Sequence, residues 1–189
     1  PDDDSAPSAW LRAADLLDTA GDSSGAEEVR IEYLARYPDD LDTAAEILEP
    51  LAQRELDRVS STYTMAHALA VDADGSAPYL ARYLNLATSD PKLVDLALIG
   101  RARYYEGEDA RVVYEKQELT QPLAPSIELK KSGLETTIAA YQRAAELGVS
   151  QWAHASAFRI GQALVNFGLS LESSERPADI AGDDLYAYE

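Results

Sequence analysis

Apolar residues along this chain recur three and four positions apart, the spacing that puts them on one face of a helix. Trp10, Leu11, Ala14 and Leu17 form the first such stripe, and Gly21-Asp22 interrupts it. Ser23 and Ser24 are positioned to cap a second helix carrying Val29, Tyr33, Leu34 and Tyr37, which stops before Pro38 because a residue preceding proline avoids helical angles. A third stripe runs through Ala44, Ala45, Ile47, Leu48 and Leu51, with Pro50 predicted to kink or split it. A fourth joins Val59, Tyr63, Ala66, Leu69 and Ala70, and Asp72-Ala73-Asp74-Gly75-Ser76 reads as a turn. Tyr79, Leu80, Tyr83, Leu84 and Leu86 make the fifth.

The sixth helix starts at Asp90-Pro91, N-cap and first helical position, and carries Leu93, Leu96, Ala97 and Ile99. Gly107 is expected to end it before Val112, Val113 and Tyr114 resume. Thr120-Gln121-Pro122-Leu123-Ala124-Pro125 holds two prolines and reads as a loop inserted over 119–125. Long helices follow from about Ser126 to Leu147 and from about Gln151 to Leu171, with Gly148 between them. The last stretch, from Asp179, has the pattern of a further helix start. No run alternates with the period of two that a strand requires, so the fold class is all-α: αα-hairpins joined by short connections.

Charge narrows the partners. The 189 residues hold 34 acidic and 16 basic side chains, a formal net charge of -18. Nucleic acid and anionic lipid surfaces need cations to displace their counterions, so both are excluded as partners, whereas a basic protein is attracted. No apolar run is long enough to span a bilayer. The chain has no Cys, which removes disulfides, thiolate ligands and thiol nucleophiles. It opens at Pro1 rather than Met and stops at Tyr188-Glu189 within a helical pattern, and it reads as a piece of a longer protein.

Residues 7–38 resemble a tetratricopeptide repeat, a helix-turn-helix unit of 34 residues. Trp10 sits at the large apolar position of its first helix, Ala14 at the small position, Gly21-Asp22 in the turn, Ala26 at the small position of the second helix, and Pro38 at the close. Arg30 and Tyr33 depart from the pattern, standing where an aromatic and an Ala are usual. Thr137 to Leu147 resembles the second helix of another unit, through Tyr141 and Ala144, and Phe158-Arg159-Ile160-Gly161-Gln162-Ala163-Leu164 resembles a following first helix. Ala26 and Thr137 lie three repeat lengths apart plus a surplus about the size of the Pro122–Pro125 region. Residues 40–118 match in helical spacing alone.

The resemblance implies a right-handed solenoid of stacked hairpins extending over 1–189 as one domain, with Trp10, Ala14, Tyr141, Ala144, Ile160 and Gly161 at helix contacts. It also implies a protein-interaction or scaffold module, not an enzyme, binding a peptide or protein on a concave face lined by first helices. Arg12 and Asp15 would line that face in the first unit, and Arg159, Gln162 and Asn166 in the last. The Lys and Asn arrangement of the family's carboxylate clamp is not found, which argues against a carboxyl-terminal peptide ligand. The glycine-ended long helix before Phe158-Arg159-Ile160-Gly161 is similar to bacterial envelope-associated members, pointing to a periplasmic or cell-envelope setting. A structural spacer in an envelope or secretion assembly, or a non-catalytic part of a larger enzyme, are the competing readings.

No cofactor or metal site is expected. His67 and His154 each stand between alanines on a helix, without a second histidine three or four residues away. Asp72-Ala73-Asp74-Gly75 lacks the flanking acids of a calcium loop. Neither a nucleophile elbow nor a phosphate loop is present. The eleven tyrosines are expected to pack between helices with their hydroxyls at the surface.

Overall fold

A computed structural model describes residues 6–60, 62–71 and 77–174. Every regular element among them is helical, and the chain gathers into two compact units: Pro1–Arg58 with Ala68–Asp95, and Val59–His67 with Leu96–Glu189. The Asp72–Ser76 turn, Tyr186, Tyr188 and the helix expected from Asp179 lie outside the described residues.

The first unit holds α1 (Ala6–Thr19), α2 (Ser23–Arg36), α3 (Leu41–Asp57) and α5 (Tyr79–Ser89). α1 and α2 form a hairpin through Gly21, whose positive φ of 84° suits a residue without a Cβ. Ala14 and Ala26 are its buried small residues, and Trp10 lies half-buried under the Arg36 guanidinium, 4.8 Å from the ring centroid. The α2 cap is Asp22, which accepts the Gly25 N–H, and not Ser23 or Ser24. α3 is the unit's centre: Ala44, Ala45, Ile47, Leu48, Leu51, Ala52 and Leu56 are buried along it. Pro50 does not split α3, which continues through it to Asp57.

α5 has no side chain of its own to cap its start at Pro78. Glu55 on α3 supplies the cap instead, accepting the N–H of Tyr79 at 3.2 Å and of Leu80 at 2.7 Å. Asp90 caps as expected, but the element it caps is a 3-10 turn at Pro91–Leu93, and the next α-helix begins only at Leu96.

The second unit is a bundle of α6 (Leu96–Glu115), α7 (Leu123–Ala145) and α8 (Ser150–Glu172), each packed against the other two. The helix expected from Val59 to Ala70 shrinks to one turn, α4 (Met65–Ala68). The segment leading into it lies on α6, where Asp109 accepts the Ala66 N–H at 3.1 Å. α7 begins at Leu123, because Pro125 falls within its first turn, where a missing N–H is harmless. The break between α6 and α7 therefore covers 116–122, and the last three residues of the 119–125 insertion belong to α7.

Gly107 does not end α6. The helix runs on to Glu115, and Gly107 is buried where a Cβ would collide with the Tyr141 ring of α7. Gly100 admits the Trp152 indole of α8 in the same way. Tyr141 and Ala144 are buried, as the repeat pattern requires, and Ile160 is half-buried. Gly161 is the reverse of its expectation: it is exposed, with nothing within 4 Å of a Cβ placed there. Phe158 shares that solvent side of α8 and is 65% exposed.

The two glycines should therefore respond oppositely to alanine. Gly107→Ala is expected to lose about 1–3 kcal/mol by forcing α7 away. Gly161→Ala is expected to gain up to ~1 kcal/mol through helix propensity alone. Urea unfolding of the two variants beside the parent checks both signs.

Candidate functional site

The first unit contains an open groove of about 620 Å³ between the α1–α2 hairpin and α3. Its α3 wall is one helical face running from Thr43 through Glu46, Ile47, Pro50 and Leu51 to Arg54. Those eleven steps span about 16 Å at the helical rise. α1 contributes Leu11, Asp15 and Asp18, and α2 contributes Ser23, Glu27 and Arg30, again each at helical spacing. The apolar groups sit at mid-height and the charges around them.

Both cations of the groove are engaged. Arg30 reaches Asp18 at 2.7 Å and Asp15 at 3.4 Å, tying α2 to α1, and Arg54 reaches Glu27 at 2.6 Å, tying α3 to α2. Glu46 has no partner among the described residues, and the Asp15 side chain is 77% exposed. Pro50 adds a further acceptor. It has no N–H to give to the Glu46 carbonyl one turn earlier, and both residues line the groove.

The second unit concentrates its polar groups on Glu108 of α6. Glu108 Oε1 accepts the Tyr141 hydroxyl of α7 at 2.7 Å and pairs with Arg159 Nε of α8 at 2.7 Å, while Oε2 pairs with Arg111 at 2.9 Å. Arg111 also holds Glu115 at 2.7 Å, and Arg159 donates to the Tyr104 hydroxyl at 3.1 Å. Burial pushes the Glu108 carboxyl up, but the hydrogen bonds from Tyr141 and Arg111 and the charges of Arg111 and Arg159 outweigh it, so its pKa lies below the ordinary value. Burial, then the bond to Glu108, raises the Tyr141 phenol. Three helices thus converge on one carboxylate, two donors on Oε1 and one on Oε2, an arrangement that fixes helix register.

Lys130 on α7 is almost wholly buried as well. Its Nζ donates to the Gln117 carbonyl at 2.8 Å and lies 4.6 Å from the Tyr114 ring centroid, and desolvation lowers its pKa despite the nearby charge of Glu115. A second cleft of about 570 Å³ lies along α6, between Val59, Ser60, Thr64 and Ala66 on one side and Val112 and Val113 on the other. Both histidines are exposed, each with its Nδ1 facing a hydroxyl, Thr64 for His67 and Ser150 for His154.

Of the five residues expected on a binding face, Asp15 lines the first unit's groove, and Arg12 is exposed on α1 outside the groove lining. Arg159 and Gln162 are linked to each other at 2.9 Å, and Arg159 is held by Glu108 and Tyr104 inside the second unit. Asn166 is half-buried, and its Oδ1 is enclosed without a donor among the described residues. Sequence reasoning missed the groove's α3 wall, although the spacing of Thr43, Glu46, Ile47, Pro50, Leu51 and Arg54 on one helical face was there to be read.

Compared with family models, curated proteins and solved structures, the chain matches none.

The Glu108 carboxyl contributes to stability against acid. Its folded pKa is depressed, so its contribution is present above the ordinary value of 4.5 and disappears as pH falls through the folded value. Glu108→Gln is expected to cost about 2–4 kcal/mol at pH 7, because Arg111 and Arg159 lose a partly buried counter-charge. The variant should also show a flatter decline below pH 4.5 than the parent, measured by denaturant unfolding at a series of pH values.

Proposed function

We propose that this chain is a protein-interaction module of tetratricopeptide-like architecture, which receives a partner protein or peptide in the groove between α1, α2 and α3. In this reading α1–α2 is one hairpin of a right-handed solenoid, and α3, the first helix of the next hairpin, forms the facing wall. The observation that carries it is the groove itself. About 620 Å³ is open along three helices, with Leu11 and Pro50 offering apolar contact beside the buried Ile47 and Leu51, and Glu46 an uncommitted carboxylate. Grooves of this volume that combine apolar lining with a few polar groups are the usual form of a recognition site. Asp15 is the one expected contact residue on its wall. Arg159, bound to Glu108 and Tyr104, is a positioning residue of the second unit in this reading, with Gln162 beside it.

The spacer reading needs no open groove, and nothing in a spacer favours a mid-helix proline lining one. Photo-crosslinking separates the two. A photoreactive residue at Glu46 or at Asp15 in the full-length protein is expected to form discrete adducts with a partner in host extract. The same residue at Glu28, exposed on α2 outside the groove lining, is expected to form none. Adducts at Glu28 alone, or equal labelling at all three positions, would remove the groove from the interaction.

A further inference from the structure

We infer that the groove takes a basic amphipathic helix, presented by a partner protein, with its apolar side against Ile47, Pro50 and Leu51 and its Lys or Arg side chains toward Glu46 and Asp15. The inference rests on the groove being the interaction site and adds the chemistry of its occupant.

Four carboxylates line the groove, Asp15, Asp18, Glu27 and Glu46, against two guanidinium groups. Arg30 and Arg54 are both turned to carboxylates of the groove itself, so neither presents a free cation to a ligand. What is left over is acceptor capacity. The Glu46 carboxylate has no partner among the described residues, the Asp15 carboxylate is largely open with only a 3.4 Å contact to Arg30, and the Glu46 carbonyl lacks its helical donor because of Pro50. Ligand groups matching this set carry several N–H donors and positive charge, which describes Lys and Arg and excludes Asp and Glu.

The form of the ligand is set by the walls. On the α3 face Pro50 and Glu46 are exposed, with the buried Ile47 and Leu51 beneath them as lining, and half-buried Leu11 of α1 lies across the groove. An apolar strip bordered by acids accepts a helix whose apolar residues recur at three and four positions and whose flanks are basic. A groove wall of about 16 Å accommodates about three turns of such a helix. The net charge of -18 speeds encounter with a basic segment, an effect that weakens as salt rises.

The experiment uses three synthetic 14-residue peptides, fluorescently labelled, titrated against the full chain at low and moderate salt. One has Leu at helical i, i+3, i+4, i+7 spacing with Lys elsewhere. The second replaces every Lys by Glu, and the third scrambles the first so that no apolar face remains. The Lys–Leu helix is expected to bind, more weakly at higher salt, and the other two at least tenfold less. The double variant Asp15→Asn with Glu46→Gln, checked for parental circular dichroism, is expected to weaken that binding about three- to tenfold, while Glu28→Gln leaves it unchanged.

Equal binding of the Glu–Leu peptide would overturn the charge assignment. Equal binding of the scrambled peptide would overturn the amphipathic helix. Binding that ignores the double variant would overturn the location. If no peptide binds while crosslinks at Glu46 persist, the basic-helix occupant is wrong and the interaction module stands. If both fail, the module reading falls too.

Discussion

The bulkiest side chains fully buried in this protein are tyrosines, and each must bring a hydrogen-bond partner for its hydroxyl into the core. Tyr33 on α2 donates to Asp40, and Asp40 also caps α3 by accepting the Thr43 N–H. Tyr83 on α5 donates to Glu49 of α3 and accepts the Asp95 N–H. Tyr141 joins α7 to Glu108 of α6, and Tyr114 joins α6 to the Ala163 carbonyl of α8. A buried phenol without a partner costs about 1–3 kcal/mol, so each pair penalises any helix register that separates it. Leucines in the same places would supply as much apolar contact without selecting one register. In both units, side-chain hydroxyls therefore decide which turn of one helix faces which turn of the next.

That device explains what could and could not be read from sequence. The stripes of α1, α2, α5, α7 and α8 follow from local spacing, and the helices form close to where the spacing puts them. Tyr33, Tyr83 and Tyr141 are between helices as expected, but their hydroxyls are spent on Asp40, Glu49 and Glu108 instead of solvent, because those acids come from other parts of the chain. The α5 cap has the same origin: Glu55 lies on α3, and no inspection of the residues around Pro78 would find it. Gly107 and Gly161 show the ambiguity most directly. A glycine within a helical pattern is a stop, a close approach or a neutral surface position, and the difference lies in a neighbour distant in sequence. Tyr141 makes Gly107 a close approach, and the absence of any atom near Gly161 makes it a surface position.

The groove was legible to the extent that it depended on one helix. Asp15 was found through its place on α1, and it lines the groove. Arg159 has the same sequence appearance, a polar residue on a first-helix pattern, yet its guanidinium is occupied by Glu108 and Tyr104. Composition gives no sign of this, since the partners lie on α6. The α3 wall went unread because Pro50 drew attention as a breaker. In the folded chain it is a helical residue that lines the groove together with Glu46, whose carbonyl lacks its helical donor.

The acidity of the chain has two different causes once the fold is known. Asp40, Glu49, Glu55 and Glu108 are structural acceptors, satisfying buried hydroxyls or helix N–H groups that have no nearer partner. Arginines such as Arg30, Arg54, Arg111 and Arg159 are drawn into the same framework, each tied to a carboxylate. These four cations are thus consumed internally, while over the whole sequence the acids exceed the bases by 18. The surplus must face outward, because a buried unpaired carboxylate would cost several kcal/mol. A surface rich in acceptors and poor in free donors follows from how the core is built. The groove between α1, α2 and α3 is one place where that surplus borders apolar lining within a single concavity. A ligand there gains from both terms at once, from apolar contact that salt does not weaken and from charge pairing that it does.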